Sequence, residues 1–348
     1  MEAALFHWEL YAGAGALAAA ISLLLTPAVR TAAVKLGWFD IPSSRLKTHK
    51  TATPALGGVA IYCAFAATLI FLRYETQFPT GTLRSLRGLL IGGTLVFLLG
   101  LIDDLKKPSG LGFKTKFVIQ AAAGAVLLAF GFRIHFIKPD YLAESLTLVW
   151  IVGITNAFNI VDIMDGLSAS QAAISALAFL LISLPRNEFY VNFASAALAG
   201  AAAGFLPWNF SSKRKIFMGD CGSLLAGFLL AGISLGTHYS KVNDLGVYAP
   251  IIILLVPMYD TLFVMALRIR QGLSPFLGSN DHFALRLERM GYSRRRIVAM
   301  AAGAAAVLGV CAFLATALKE TWAFCLYLML AVEILIFSRA LARVAMRE

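Results

Sequence analysis

Long apolar runs alternate with short polar connections along the whole chain. Eleven such runs can be distinguished, covering residues 8–28, 55–72, 86–102, 117–132, 146–158, 167–184, 189–206, 223–238, 248–267, 297–317 and 321–338. A helix that crosses a bilayer core needs about 20 apolar residues, so the longer runs predict membrane-spanning helices and the shorter ones tilted, broken or partly protein-buried segments. We therefore predict an all-α, polytopic integral membrane protein with about 11 transmembrane helices.

The composition agrees with this prediction. Hydrophobic residues make up 59% of the 348 positions and charged residues only 14%, whereas soluble domains carry about 25% charged residues. The four Cys show no metal-binding or redox spacing, so disulfides are not expected. Residues 1–348 are interpreted as a single transmembrane domain.

Basic residues are concentrated in alternate connections, which predicts the topology. Most of the 30 Lys and Arg residues fall within 30–50, 106–116, 213–215, 268–296 and 339–347. Because cytoplasmic loops collect Lys and Arg, we expect the N-terminus outside, the C-terminus in the cytoplasm and a location in the cell inner (plasma) membrane. This topology and the lipid bilayer's anionic headgroups explain the net charge of +11, so no nucleic-acid partner is expected.

The cytoplasmic connections also carry the unusual acidic residues. The most polar stretch is 156–166, NAFNIVDIMDG, in which Asn159, Asp162 and Asp165 would share one face if the preceding helix continued. Two carboxylates on one stripe repel each other, and a divalent cation or a Lys in the same cleft would offset the repulsion. The alternative is a solvated acidic loop, because Asn and Asp are ordinary turn residues.

Two further connections place acids at the membrane edge. Asp103 and Asp104 are adjacent, so both cannot lie on one helix face; we expect one to face metal or substrate and the other to bind a Lys or the backbone. Lys116 begins the next run and is predicted to face the same cleft, whereas Lys106 and Lys107 are interpreted as headgroup contacts.

The Gly219–Asp220 pair precedes another apolar run. This pattern predicts a tight turn, a carboxylate at the membrane edge and a helix N-terminus whose free N–H groups suit phosphate. A simple N-cap Asp is the alternative.

The longest cytoplasmic connection holds His282 and Arg286. Their spacing of four residues would project both from one face of an amphipathic helix. Seven of the 19 acidic residues fall at or near the expected inner membrane face: Asp103, Asp104, Asp162, Asp165, Asp220, Asp260 and Asp281. A transporter would place such residues near the midplane on broken helices. The pattern therefore favours an enzyme over its non-enzyme alternative, a nucleotide-sugar or lipid transporter.

Five motifs occur in order within residues 45–295. They are HKTATPALGG, GLIDDL, NAFNIVDIMDGL, WNF followed by KIFMGDCGS, and a loop with SPF and HFALRL. This set resembles the polyprenyl-phosphate N-acetylhexosamine-1-phosphate transferase family. The resemblance implies transfer of a sugar-1-phosphate from a UDP-sugar to undecaprenyl phosphate with Mg²⁺, for which Mn²⁺ can substitute. The products would be undecaprenyl-diphosphate-sugar and UMP, in the initiating step of a cell-envelope polysaccharide such as lipopolysaccharide. A homodimer is compatible with the sequence.

The motifs and the resemblance together assign roles to individual residues. The active site is expected to be built from connections 30–54, 103–116, 156–166, 208–223 and 268–296. The predicted catalytic residues are Asp103, Asp104, Asp162, Asp165 and His282; the predicted substrate-binding residues are Lys50, Lys116, Asn159, Asn209, Phe217 and Arg286; the predicted metal ligands are Asp220 and Asp162.

Two positions depart from the family pattern. Ile163 stands where the family commonly has Gly, and Leu285 stands where it has a second His. The triple-His loop of the phospho-MurNAc-pentapeptide translocase of peptidoglycan synthesis is absent, which favours the WecA-like branch acting on UDP-N-acetylhexosamines. That translocase is the alternative enzyme, and the departure at Leu285 leaves the identity of the sugar open.

Overall fold

A computed structural model of the chain describes residues 8–42, 51–76, 78, 80–107, 109–275, 278–344 and 346. Lys50, a predicted substrate-binding residue, lies outside the described residues. The helices are α1 (Trp8–Leu36), α2 (Gly57–Glu75), α3 (Thr82–Leu105), α4 (Phe113–Ala129), α5 (Asp140–Val161), α6 (Leu167–Ser183), α7 (Phe189–Asn209), α8 (Asp220–Ser234), α9 (Ala249–Ile253), α10 (Leu255–Arg270), α11 (Phe283–Arg289), α12 (Arg294–Ala317) and α13 (Glu320–Ala342). Short 3₁₀ turns occupy Leu184–Arg186 and Asp244–Tyr248.

The all-helical, polytopic membrane architecture is confirmed. Each of the eleven apolar runs overlaps a helix, with α9 and α10 sharing one run. Within the described ranges, eight helices are long and apolar enough to cross a membrane, or nine if α9 and α10, which meet at 74°, form one broken span. Helices α4 and α8, with 17 and 15 residues, are shorter than the about 20 residues of a perpendicular crossing.

Helix α8 forms the centre of the bundle. Every residue from Cys221 to Ser234 is buried, because this sequence is apolar all round and has no polar face to turn outward. Helices α2, α3 and α5 pack around it. A Cβ on Gly100 of α3 would lie 2.5 Å from the Asp220 carbonyl oxygen, so only glycine allows the two backbones to approach this closely. This contact holds the acidic end of α3 beside the first turn of α8.

A small strand pair, which the sequence did not predict, closes the same end of the bundle. Strand β1 (Phe39–Asp40) pairs antiparallel with β2 (Thr53–Pro54). The Phe217 N–H donates to the Pro54 carbonyl at 2.8 Å, and the Gly57 N–H donates to the Phe217 carbonyl at 2.9 Å. The segment before α2 is thereby joined to the segment before α8.

Candidate functional site

A cavity of about 620 Å³ lies where α3, α5 and α7 end and α2 and α8 begin. Of the sequence-predicted site residues, the structure brings six to its lining: Asn159, Asp162, Asp165, Asn209, Phe217 and Asp220. Five further charged side chains line it: Asp40, Lys107, Lys215, Glu288 and Arg294. The cavity is within the size range of small-molecule sites and is strongly polar.

A turn presents the carboxylates of Asp162 and Asp165 to the cavity. Helix α5 ends at Val161, so these two residues follow the helix and do not form a helical stripe with Asn159. Gly166 then adopts φ 80° before α6 begins, a conformation that glycine reaches without steric cost. Both carboxylates line the cavity as the sequence predicted, but a turn between two helices places them there.

Asn209 joins the two acid-bearing segments. Its Oδ1 accepts a short hydrogen bond from the Gly166 N–H, and its Nδ2 donates to the Ile216 carbonyl at 2.9 Å. Asn159 is anchored to the first turn of α8 by its Nδ2, which donates to Ser223 Oγ at 3.0 Å. These amides therefore fix the Asp162 turn relative to Asp220.

Asp220, the first residue of α8, is held by two lysines. Lys107 Nζ lies 3.2 Å from Asp220 Oδ1, and Lys116 Nζ lies 2.8 Å from Asp220 Oδ2. The other contact of Lys107 is Asp104 Oδ1 at 2.7 Å, and that of Lys116 is Asp103 Oδ2 at 2.8 Å. We call this chain of five charged residues, in the order Asp103, Lys116, Asp220, Lys107 and Asp104, the charge ladder.

The outer acids of the ladder are bound to backbone as well. Asp104 accepts the N–H groups of Asp220 and Cys221 at 3.0 and 2.9 Å, which caps the first turn of α8. Asp103 accepts the Leu111 N–H at 2.6 Å. The Asp103 side chain is only 4% exposed and the Asp104 side chain only 1%, and neither residue lines the cavity. Both thus bind Lys and backbone, and a direct catalytic role for them stays a prediction.

The interpretation of Lys107 as a headgroup contact was wrong. Its ammonium is enclosed between Asp104 and Asp220, which leaves the side chain 19% exposed. Burial lowers the pKa of Lys107, but the carboxylates of Asp220 and Asp104 more than offset this and raise it above its ordinary value. The signal available in the sequence was the spacing of three residues from Asp104, which allows contact on a helix.

The carboxyl group of Asp162 lines the same cavity as Asp220 and Lys107. Burial, followed by repulsion from Asp220, raises the pKa of Asp162 to about 8. Among the described residues, no group of three or more His, Cys, Asp or Glu side chains is arranged to hold a metal ion. Mg²⁺ commonly binds one or two carboxylates together with substrate phosphates, and the oxygen donors of Asp162 and Asp220 fit that chemistry.

Two ion pairs at the cavity were not predicted from the sequence. Lys215 Nζ lies 2.5 Å from Asp165 Oδ2, and the same ammonium lies 5.8 Å from the centre of the Phe217 ring. On the α11 side, Arg294 Nε lies 2.8 Å from Glu288 Oε1. Nothing in the spacing of these residues distinguishes them from ordinary cytoplasmic charge, so only the folded chain reveals them.

The structure does not bring His282 and Arg286 to the cavity lining. His282 precedes α11, so the two side chains do not share a helical face, and its Nδ1 lies 2.7 Å from Asp260 Oδ2. Arg286 Nη2 lies 2.6 Å from Asp281 Oδ1, while its Nη1 donates to the carbonyls of Leu341 and Val344 at 3.0 and 2.7 Å. These contacts tie the segment before α12 to the end of α13.

The part of the chain that matches a known protein family contains the same site. A family model described as glycosyl transferase family 4 matches residues 86–238, which include the ladder, the Asp162 turn and all of α8. A "Probable undecaprenyl-phosphate N-acetylglucosaminyl 1-phosphate transferase" of Bacillus subtilis (strain 168) is 32% identical over 285 residues, covering 79% of this chain and 76% of that protein.

Two other relatives are similar over nearly the same length. The "Decaprenyl-phosphate N-acetylglucosaminephosphotransferase" of Mycolicibacterium smegmatis is 34% identical over 316 residues, covering 82% of this chain and 77% of that protein. The "Undecaprenyl-phosphate alpha-N-acetylglucosaminyl 1-phosphate transferase" of Escherichia coli (strain K12) is 29% identical over 300 residues, covering 81% of this chain and 78% of that protein.

Proposed function

Since the chain belongs to glycosyl transferase family 4, we propose that it transfers N-acetylglucosamine-1-phosphate from UDP-N-acetylglucosamine to a polyprenyl phosphate such as undecaprenyl phosphate. This reaction would initiate a cell-envelope polysaccharide. The observation that carries the proposal is the cavity itself, which Asp162, Asp165 and Asp220 line together with Lys107 and Lys215 at one end of a membrane bundle. Such a site suits a soluble phosphorylated donor and a lipid-anchored phosphate.

The chemistry is an in-line displacement at phosphorus. An oxygen of the polyprenyl phosphate forms a bond to the β-phosphorus of the donor, and the bond from that phosphorus to the bridging oxygen breaks. UMP leaves with that oxygen and its electron pair. A phosphate monoester has its second pKa near ~6, so the acceptor is largely dianionic at neutral pH and needs no strong general base. Catalysis then depends mainly on positioning and on charge stabilisation.

Different residues on the cavity wall would bind the metal ion, the phosphates and the uracil ring. Asp162 and Asp220 would hold Mg²⁺, or Mn²⁺ in its place, and the ion would neutralise charge on the diphosphate oxygens. Lys107 and Lys215 offer ammonium groups to phosphate oxygens at the cavity wall. Phe217 lies beside Lys215 and offers a flat apolar surface to the uracil ring.

We propose that all eleven helical runs cross the membrane, with the N-terminus outside and the C-terminus in the cytoplasm. The cavity is built at the bundle end whose connections carry the predicted cytoplasmic excess of Lys and Arg, which supports a cytoplasm-facing site. Helix α8 would cross as a short segment shielded from lipid, as its burial allows, and α4 would cross as a short helix with one face packed on the bundle and the other toward lipid. The protein would act in the plasma membrane.

The test uses the purified full-length protein in detergent. Radiolabelled UDP-N-acetylglucosamine, undecaprenyl phosphate and Mg²⁺ are expected to give a butanol-extractable lipid product and one UMP for each product molecule. A reaction without acceptor lipid is the control, and a panel of UDP-sugars that includes UDP-MurNAc-pentapeptide ranks the donors. In a parallel assay with the protein reconstituted into proteoliposomes, label that enters the vesicles without any lipid product would instead indicate a transporter. Preference for the pentapeptide donor would indicate the translocase.

A further inference from the structure

The charge ladder uses both carboxylate oxygens of Asp220. Oδ1 is taken by Lys107 and Oδ2 by Lys116, at 3.2 and 2.8 Å. Because a lysine ammonium and a divalent cation compete for the same oxygens, Asp220 in this arrangement is masked. The residue that best fits a metal ligand therefore becomes available only after at least one lysine moves.

Both lysines are also held at their other ends: Lys107 lies closer to Asp104 than to Asp220, and Lys116 lies at the same 2.8 Å from Asp103 and Asp220. Lys107 lies 2.7 Å from Asp104 but 3.2 Å from Asp220, and Asp104 is in turn held by two backbone N–H groups. Lys116 is held by Asp103, which also binds the Leu111 N–H. The lysine side chains can thus leave Asp220 and keep their contacts to Asp103 and Asp104.

Among the described residues, the cations on the cavity wall other than Lys107 are also paired. Lys215 lies against Asp165, and Arg294 lies against Glu288. Three carboxylates and two ammonium groups leave the ladder with a net negative charge. Within the part of the chain that the structure describes, a phosphorylated substrate entering this cavity meets only cations that a carboxylate already holds, and it must compete with that carboxylate for them.

We propose that Lys107 and Lys116 mask Asp220 in the substrate-free protein and exchange this carboxylate for substrate phosphate, which opens Asp220 to a divalent cation. Asp103 and Asp104 are then positioning residues, which act through the two lysines. The exchange couples the two ligands, because phosphate binding removes the lysines from Asp220 and cation binding to Asp220 releases the lysines for phosphate. Such coupling is reciprocal by thermodynamic necessity. The inference rests on the proposed function only for the identity of the donor.

The experiment measures binding of Mn²⁺ to the purified full-length protein by electron paramagnetic resonance, with and without UDP-N-acetylglucosamine. The wild-type protein is expected to bind Mn²⁺ weakly alone and at least tenfold more tightly with the donor. Lys116→Met is expected to bind Mn²⁺ alone at least tenfold more tightly than the wild type, with a smaller further gain from the donor. Lys114→Met, which removes an exposed lysine from the same helix, is the matched control and should behave as the wild type.

Lys107→Met repeats the test at the other oxygen, with exposed Lys106→Met as its control. Thermal unfolding and gel filtration identify variants that do not fold. The proposal is overturned if the folded Lys→Met variants bind Mn²⁺ no more tightly than the wild type. If neither variant folds, the wild-type protein decides, because Mn²⁺ affinity that is unchanged by the donor overturns the exchange. Failure of the proposed function would appear separately, as absence of lipid product while the lysine effect on Mn²⁺ persists.

Discussion

Asp104→Asn tests whether the acidic pair of α3 acts by organising α8. The Asp104 carboxylate accepts three hydrogen bonds: from Lys107 Nζ at 2.7 Å and the Asp220 N–H at 3.0 Å on Oδ1, and from the Cys221 N–H at 2.9 Å on Oδ2. Asparagine has nearly the same shape but only one oxygen. Its NH₂ group must therefore face one of these donors, and the charge that attracts Lys107 is lost.

The cost follows from this geometry. If the amide oxygen takes the place of Oδ1, the buried Cys221 N–H faces a second donor, and an unsatisfied buried group costs about 1–3 kcal/mol. Hydrogen bonds to charged groups contribute about 1.5–3 kcal/mol, and the bond from Lys107 loses part of this. We expect a total loss of about 2–5 kcal/mol, together with displacement of Asp220 and a fall in turnover.

Thermal unfolding of the purified protein and kcat, measured on the same samples, check this prediction. Both should fall for Asp104→Asn. Asp140→Asn is the matched control, because Asp140 is 55% exposed and its ion pairs with Lys138 and Arg133 lie at the surface. A normal unfolding temperature with a large loss of kcat would refute our reasoning and would support the direct catalytic role that the sequence predicted for Asp104.

Three further predictions concern single residues. Asp220→Asn should reduce turnover by orders of magnitude and weaken Mn²⁺ binding while the protein still folds; a near-wild-type rate and Mg²⁺ dependence would show that Asp220 is not a ligand. Gly219→Ala should impair both folding and activity, because Gly219 has φ 74° and an added Cβ would lie 2.5 Å from Asp104 Oδ2. Expression yield and thermal unfolding measure this effect, and wild-type stability of the variant would contradict the prediction. Arg286→Ala should lower the free energy of unfolding by about 3–5 kcal/mol, because it breaks a buried ion pair, and should leave the ranking of UDP-sugars unchanged. Thermal unfolding and donor competition measure the two effects. An altered ranking with normal stability would instead support the sugar-recognition role predicted from the sequence.

The sequence alone was sufficient for the membrane architecture. Apolar runs report directly on bilayer crossing, because the cost of burying charge in hydrocarbon acts on each segment independently. The sidedness expected from the placement of Lys and Arg stays a prediction. The same pattern did not decide which of the apolar runs form complete membrane-spanning helices. Helices α4 and α8 are short, and α9 and α10 meet at a bend, so their placement depends on neighbouring helices.

Half of the predicted site residues, six of twelve, line the cavity that the structure shows. Asp162, Asp165, Asp220, Asn159, Asn209 and Phe217 were all expected at one site, and all line one cavity. Their motifs are local in sequence, and polar residues beside apolar runs are informative because the membrane makes them costly. The resemblance to a known family added the reaction, which composition and spacing could not supply.

The partner of each charge was decided only by the tertiary structure. Lys107 and Lys116 meet Asp220 across more than 100 positions of sequence, since the close approach of α3 and α8 at Gly100 brings these segments together. Arg286 binds the end of α13 because α11 packs beneath that segment, a contact that no local spacing encodes. Sequence patterns report what each segment needs to bury or expose, whereas an ion pair requires two segments at a defined distance, and that distance exists only in the folded chain.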